Sequence, residues 1–425
     1  MPALTVQSQV DEVVNKYNNL SLNKEANGPT TIEVQLKQSY GFKPGYGDAF
    51  TEALPQATKN RFEKYGIDIS KGYPRKAQEF PYFLDDAYKA TARQPGAESF
   101  VERGTLADPS KKKLFAKAKE VRNLTKYIGT ELVGVQLADL DETELNELGL
   151  LISERVVVFL RNQELSPQKQ LEIGSYLGHE VEKHPVAAHV PLPGVEGPTG
   201  ITTIWGRYNR RARGAASQGF KRKGGKIFHT DLDHIEGLSY GHLHLDAIPN
   251  GGSGDTVWTS GYGAYDKLSP DFQKFLDGKT AVHKSAHTYY DRDDPLSGPK
   301  FVEREFPLVV THPVTGWKSL FVNRSHTVRI PELEPEESKL VLEYLYSVLE
   351  ENLDIQVRFT WADPSQDRSL GASAIWDNRV ANHYAVADYD DVEDERHGTR
   401  VTSLGVPASF DPNSKSQREA LGLSN

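Results

Sequence analysis

A mainly β fold with α inserts, built as an antiparallel sandwich or barrel, is what this sequence predicts, on three observations. From residue 228 onward the chain runs in short β-rich pieces broken by Gly and Pro: FHTDLDHIEG, LSYGHLHLD, GDTVWTSG, REFPLVVTHPVTGWKSLFVN, QVRFTW, SAIWDN and TRVTSLG. Short strands between turn signals are the pattern of sandwiches and barrels. Upstream, VVVFLR has the β-branched density of a buried strand. Of the 425 residues, 37% are hydrophobic and 26% charged, the balance of a water-soluble globular chain.

The elements follow in order. Residues 1–114 are rich in charged and turn-forming residues without sustained periodicity, as in SYGFKPGYGDAF and KGYPRKAQEFPYF, and read as an extension. A compact domain begins near Lys111–Phe115, and Glu131–Leu137 alternates as a strand. DETELNELGLLISER then spaces Leu145, Leu148 and Leu151 for a helix behind the cap residue Asp141, and VVVFLR returns as a strand. Ser166 and Pro167 are the N-cap and first position of a second helix. Two helical inserts interrupt the later strands, AYDKLSPDFQKFLDG and PELEPEESKLVLEYLYSVLEEN, the second with Leu340, Tyr344 and Val348 on one face. Length alone allows two or three domains at roughly 150 residues each. The placement of motifs reduces this to one catalytic domain over 115–410, behind the extension 1–114 and followed by a tail 411–425.

Composition excludes several chemistries. With no cysteine, disulfides, thiolate metal sites and cysteine nucleophiles are ruled out, so any metal must sit on His, Asp or Glu. The net charge of −9 is not the footprint of a nucleic-acid binder. The longest apolar run, Val156–Leu160, falls far short of the ~20 residues of a spanning helix, and the N-terminus does not read as a signal peptide. A cytoplasmic protein without membrane association is expected. One local exception is the stretch Gly206–Phe228, which holds eight Lys or Arg and no acid. It reads as a solvated loop or as a basic flap, over 207–226, closing on an anionic substrate.

Among the 13 histidines, His229-Thr230-Asp231 sets an imidazole and a carboxylate at i and i+2, on one face of a strand. With a distant third ligand they would form a facial triad, which leaves adjacent coordination positions open as iron(II) oxygenases require. The triplet alone is weak, because His244-Leu245-Asp246 repeats it and His234-Ile235-Glu236 approaches it.

Four motifs in order give His229 its context: FHTD, GGSGDTVWTSGYGAYDKLS, AIWDNRVANHYAVADY and Arg396-x-x-x-Arg400-Val-Thr. Together with VVVFLRNQELSPQKQ and His184-Pro185-Val186, the chain over about residues 125–405 resembles the TauD/TfdA family of iron(II)- and 2-oxoglutarate-dependent dioxygenases. The resemblance implies a double-stranded β-helix (jelly roll) core, with His229, Asp231 and His383 as metal ligands. It places Thr256 and Arg396 on the carboxylates of 2-oxoglutarate, and Arg400 and His184 at the substrate. Trp376-Asp377-Asn378-Arg379 would be a turn presenting His383. Ala187 stands where taurine-using members carry a Tyr, which argues against taurine.

The implied reaction uses Fe(II), 2-oxoglutarate and O2 to oxidise, by hydroxylation first of all, a C–H bond of a small anionic compound, with release of succinate and CO2. Sulfonates, sulfate esters, carboxylates and amino acids fit the basic residues. By the same resemblance Asp231 argues against a halogenase, while desaturation, ring formation and epoxidation stay open, as does assembly into a homo-oligomer. Two rival readings are a non-catalytic jelly-roll binding module and an oxygenase that grips nucleic acid through the basic loop.

Overall fold

The computed structural model describes residues 54–68, 83–93, 95–183, 200–205, 228–249, 253–294, 297–386, 388–389 and 395–423. His184 and the basic stretch 207–226 lie outside these residues. The helices are α1 (Gln56–Lys64), α2 (Leu84–Ala90), α3 (Lys112–Lys117), α4 (Glu142–Arg155), α5 (Pro167–Leu177), α6 (Gly261–Asp266), α7 (Pro270–Leu276), α8 (Pro335–Glu351) and α9 (Gln417–Ala420). The first eight strands are β1 (Glu120–Asn123), β2 (Thr130–Val133), β3 (Val157–Gln163), β4 (Glu180–Val181), β5 (Ile201–Trp205), β6 (Leu238–Ala247), β7 (Thr256–Ser260) and β8 (Thr280–Tyr289). The rest are β9 (Lys300–Pro307), β10 (Val309–Thr311), β11 (Lys318–Leu320), β12 (Thr327–Arg329), β13 (Gln356–Phe359), β14 (Gly371–Asp377), β15 (Ala381–Ala385) and β16 (His397–Leu404).

Two sheets make the core. The larger runs β1-β2-β3-β14-β6-β16-β4, with β5 also paired to β16, and the smaller runs β13-β7-β15. Neither closes, so the fold is the sandwich of the two expected architectures. Among the described strands every pairing is antiparallel except β2 with β3. Between the sheets, Phe159, Ala374 and Trp376 of the larger meet Trp258, Val357 and Phe359 of the smaller, and Phe159 stacks on Phe359 at 4.0 Å between ring centroids. The outer face of the larger sheet is covered by α4 and α5, through Leu148, Ile152, Ile173 and Leu177. Strands β6 and β14 are consequently buried along their whole length, as expected of strands covered on both faces.

Local signals in the helices were sound. Asp141 caps α4 in a capping box with Glu144, and Ser166 caps α5 ahead of Pro167. The first helical insert is split into α6 and α7, because Ser269 and Pro270 start a new helix. In α8 the face expected to be apolar faces outward at two of its three positions: Leu340 is 73% and Tyr344 48% exposed, whereas Leu342, Leu345, Val348 and Leu349 are buried. The predicted strand Glu131–Leu137 ends at Val133, where Gly134 takes a φ of +82° and turns the chain toward a short 3-10 turn at Leu137–Asp139. Described parts of the extension pack on the domain: Phe62 of α1 joins Val181, Ile201, Trp205 and Val401. Among the described residues no helix is long and apolar enough to cross a membrane.

Three buried histidines make the fold acid-sensitive. His242 and His244 on β6 share Ser373 Oγ at 3.2 and 2.9 Å, and His312 Nδ1 accepts from the backbone of Val314 and Thr315, a role only a neutral ring fills. Burial, reinforced by Arg61, pushes His242 down to about 3. Burial likewise holds His244 well below its usual value and lowers His312. The unfolded chain therefore takes up protons near pH 6.5 that the fold refuses. Their contribution is fully present above that pH and is lost progressively as pH falls below it, by up to about 4 kcal/mol per pH unit for three groups. The urea midpoint is expected to fall steeply between pH 7 and pH 5; a flat midpoint across that window would contradict the assignment.

Candidate active site

His229 and His383 are brought together by backbone pairing. His229 N donates to His383 O at 3.1 Å and His383 N to His229 O at 2.8 Å, an isolated antiparallel bridge at the edge of β15. The rings lie side by side with centroids 4.5 Å apart. Asp231 is not on a strand as the i, i+2 spacing suggested: the chain turns over residues 231–234, with Leu232 at a φ of +55°. Convergence survives because Thr230 Oγ1 is fixed to Asn382 Oδ1 at 2.6 Å, and Asn382 to Val322 O at 2.8 Å. Asp231 Oδ1 comes to 3.7 Å from His229 Nε2, and its Oδ2 to 3.6 Å from His383 Nε2.

One ligand atom from each of the three residues lies within 4.8 Å of the others, and among the described residues this is the one group of three with that geometry. The protonation states suit a cation. Burial would raise the Asp231 carboxyl, but the Arg400 guanidinium beside it outweighs this and holds the group far below the usual carboxylate range. Burial pushes His383 down to about 3 against the pull of Asp231, so the ring is neutral and free to ligate. Arg400 Nη1 binds Asp231 Oδ1 at 2.6 Å, while Oδ2 is buried with no hydrogen-bond partner. A buried anionic oxygen without a partner is costly, and a metal ion would satisfy it. Trp376 and Trp258 lie against the His383 ring at 4.8 and 6.3 Å between centroids, fixing its orientation and screening it from water.

A second polar centre lies at the start of β7. Arg396, just ahead of β16, is 5% exposed. Among the described residues its side chain meets Gly254 O at 3.1 Å, Thr256 Oγ1 at 3.4 Å and the Tyr389 phenol, with Asp255 near enough to act on it electrostatically. Burial lowers its pKa. Thr256 Oγ1 also accepts from Trp361 Nε1 at 3.1 Å. Both lone pairs of the hydroxyl are thus taken and its proton is free to donate. A buried guanidinium and a hydroxyl donor side by side form a ready cradle for a carboxylate. Gly254 allows the approach: at a φ of +72°, a Cβ there would come within 3.1 Å of Arg396 Cδ.

Of the residues singled out by the motifs, Thr256 pairs with Ala385 two residues past His383, Arg396 lies against Thr256 and Arg400 against Asp231. Missed were Gly254 as a spacer, Trp361 and Tyr389, none of which carries a signal of its own. The other His-x-Asp copy is structural. Asp246 binds His397 Nδ1 at 2.7 Å and Arg61 at 2.9 Å, and His244 binds Ser373.

Comparison with known proteins bears on this geometry. Residues 120–402 match the model of the family described as taurine catabolism dioxygenase TauD, TfdA family. A Schizosaccharomyces pombe protein provisionally named an alpha-ketoglutarate-dependent sulfonate dioxygenase is 32% identical, over 83% of this chain and 85% of its own length. The alpha-ketoglutarate-dependent sulfonate dioxygenase of Saccharomyces cerevisiae is 29% identical over 88% of each chain. The crystal structure of a taurine dioxygenase from Burkholderia xenovorans superposes with a TM-score of 0.55 at 28% identity, covering 70% of this chain and 94% of that one. The two-sheet core is accordingly the double-stranded β-helix of these enzymes, and the chain belongs to the TauD/TfdA family of 2-oxoglutarate-dependent dioxygenases.

Proposed function

We propose that the chain holds iron(II) on His229, Asp231 and His383, binds 2-oxoglutarate through Arg396 and Thr256, and uses dioxygen to hydroxylate a small organic anion, a sulfonate in the first instance. The observation that carries the proposal is Asp231 Oδ2, buried without a hydrogen-bond partner among the described residues inside the His229–Asp231–His383 group; the buried guanidinium of Arg396 beside the Thr256 hydroxyl supports the co-substrate part of it. Iron(II), when bound, supplies the redox chemistry that couples decarboxylation of the co-substrate to oxidation of a C–H bond.

The side chains have separable tasks. Arg396 takes the distal carboxylate as a bidentate guanidinium can, and the Thr256 proton adds a directed donor. Arg400 keeps Asp231 ionised and turned, and its Nε, buried without a hydrogen-bond partner, is left to draw a substrate anion. The tryptophans at His383 keep bulk water from that side of the centre, so that substrate and co-substrate are held in one dry, oriented arrangement. The names of the two yeast relatives support a sulfonate. His184 and the 207–226 loop remain candidates for substrate contact on the resemblance alone.

The test is coupling. Succinate should form in a 1:1 ratio with oxidised product for some member of a panel of sulfonates, sulfate esters and carboxylates. Full coupling to a neutral or cationic compound, with turnover of every acid remaining uncoupled, would overturn the substrate class and leave the reaction class standing.

A further inference from the structure

The segment that precedes the family-matched region reaches the back of the co-substrate site. Helix α1 inserts Thr58 and Arg61 against β6: Thr58 Oγ1 donates to Asp246 Oδ1 at 2.7 Å, and Arg61 Nη1 pairs with Asp246 Oδ2 at 2.9 Å. Arg61 also donates to Thr399 Oγ1 at 3.1 Å and through Nε to Leu165 O at 2.9 Å. Asp246 in turn holds His397 Nδ1 at 2.7 Å, and Thr399 Oγ1 donates to Gln170 Oε1 at 2.6 Å. The rings of Phe62 and Trp205 stand edge-on to His397, with centroids at 6.0 and 5.7 Å. Arg61, Asp246, His397 and Thr399 are all buried, the most accessible being Arg61 at 8%.

His397 is the residue after Arg396. Neighbouring side chains on a strand point to opposite faces, and here His397 turns to α1 on the outer face while Arg396 turns to Thr256 on the inner one. The pairing of β16 with β6 is irregular at this point, with a register shift between His397 and Gly398. On the other side β16 pairs with β5 in unbroken register from His397 opposite Trp205, but Arg396 lies just ahead of that ladder, and the side-chain clamp on His397 adds a constraint at the neighbouring residue that the backbone pairing to β6 does not supply.

We propose that Arg61 is a positioning residue for the co-substrate: through Asp246 and His397 it sets the angle at which Arg396 meets the distal carboxylate of 2-oxoglutarate. The proposal rests on the reading of Arg396 as the co-substrate arginine. It assigns α1, outside the matched region, a part in the active site.

The experiment compares affinity for 2-oxoglutarate and for 2-oxobutyrate, which lacks the distal carboxylate. Each is titrated anaerobically by calorimetry into the iron(II)-loaded full chain, 2-oxobutyrate by displacement where its binding is weak. Arg61→Met is expected to weaken 2-oxoglutarate about tenfold and to leave 2-oxobutyrate within twofold of wild type, with Arg61→Lys recovering part of the loss. Equal weakening of both ligands, or of neither, overturns the proposal. If Arg61→Met does not fold, Thr58→Val, which deletes a single hydrogen bond to Asp246, is expected to shift the same ratio two- to threefold, and an unchanged ratio overturns the proposal. Arg396→Gln separates the two readings. Should it leave 2-oxoglutarate affinity intact, the reading of Arg396 falls and the proposal with it; should it abolish the preference while Arg61→Met does not, only the positioning role falls.

Discussion

Replacing Asp231 with Ala is expected to abolish iron(II) binding and to lower succinate formation by at least about a thousandfold, equivalent to roughly 4 kcal/mol of activation free energy. Asp231 is the one anion among the three grouped residues. Without it, a divalent cation would meet two imidazoles and the guanidinium of Arg400, which loses the partner it holds at 2.6 Å. Coulomb repulsion from that guanidinium then opposes the metal at short range, where the partly buried site screens it poorly. Asp231→Asn separates the two contributions, since an amide oxygen can still accept from Arg400 but brings no charge. Metal affinity by chelator competition and succinate by mass spectrometry check the expectation. An Asp231→Ala protein that keeps wild-type succinate formation would remove this residue from the site, and with it the triad.

What could be read from the sequence was what neighbours along the chain decide. Caps at Asp141 and Ser166 lie within three residues of the backbone groups they satisfy, so α4 and α5 started where expected. The run Val157–Leu160 is buried on both faces and its β-branched density said as much. The two-residue spacing of His229 and Asp231 was informative for the wrong local reason. They converge because residue 229 pairs with residue 383 across 154 positions and the chain then turns, neither of which spacing reveals. Leu340 and Tyr344 fit a helical apolar face, but which stripe of α8 turns inward depends on β8, β10, β11 and the α6–α7 pair, all distant in sequence. The extension was opaque for the same reason. Its two most consequential charges, Arg61 and Glu102, find partners 185 and 277 positions away, and a lone charge in a polar segment looks like any solvated one.

Glu102 leads to the largest effect on stability expected of a single substitution. It forms a buried chain with Arg379 and Asp377: Arg379 Nη1 to Glu102 Oε1 at 2.6 Å and Arg379 Nη2 to Asp377 Oδ2 at 2.6 Å, with His312 Nε2 on Asp377 at 2.8 Å. All four are buried, and Asp377 and Arg379 form the turn that delivers β15 and therefore His383. Arg379→Met strands two carboxylates in the interior and is expected to cost about 3–5 kcal/mol, visible as a lowered urea midpoint with an unchanged slope. Burial would raise the Asp377 carboxyl, yet Arg379 and His312 hold it far below the usual range, so its stabilising contribution is present above pH 4 and lost on acidification. The loss in Arg379→Met should accordingly shrink as pH falls below the normal carboxylate range. Pairing it with Glu102→Leu tests the cause. If stranded charge is responsible, the double variant should be more stable than Arg379→Met alone, because one of the two orphaned carboxylates has gone. If the two losses simply add, the network acts through packing, and the charges matter only for the shape of the turn that presents His383.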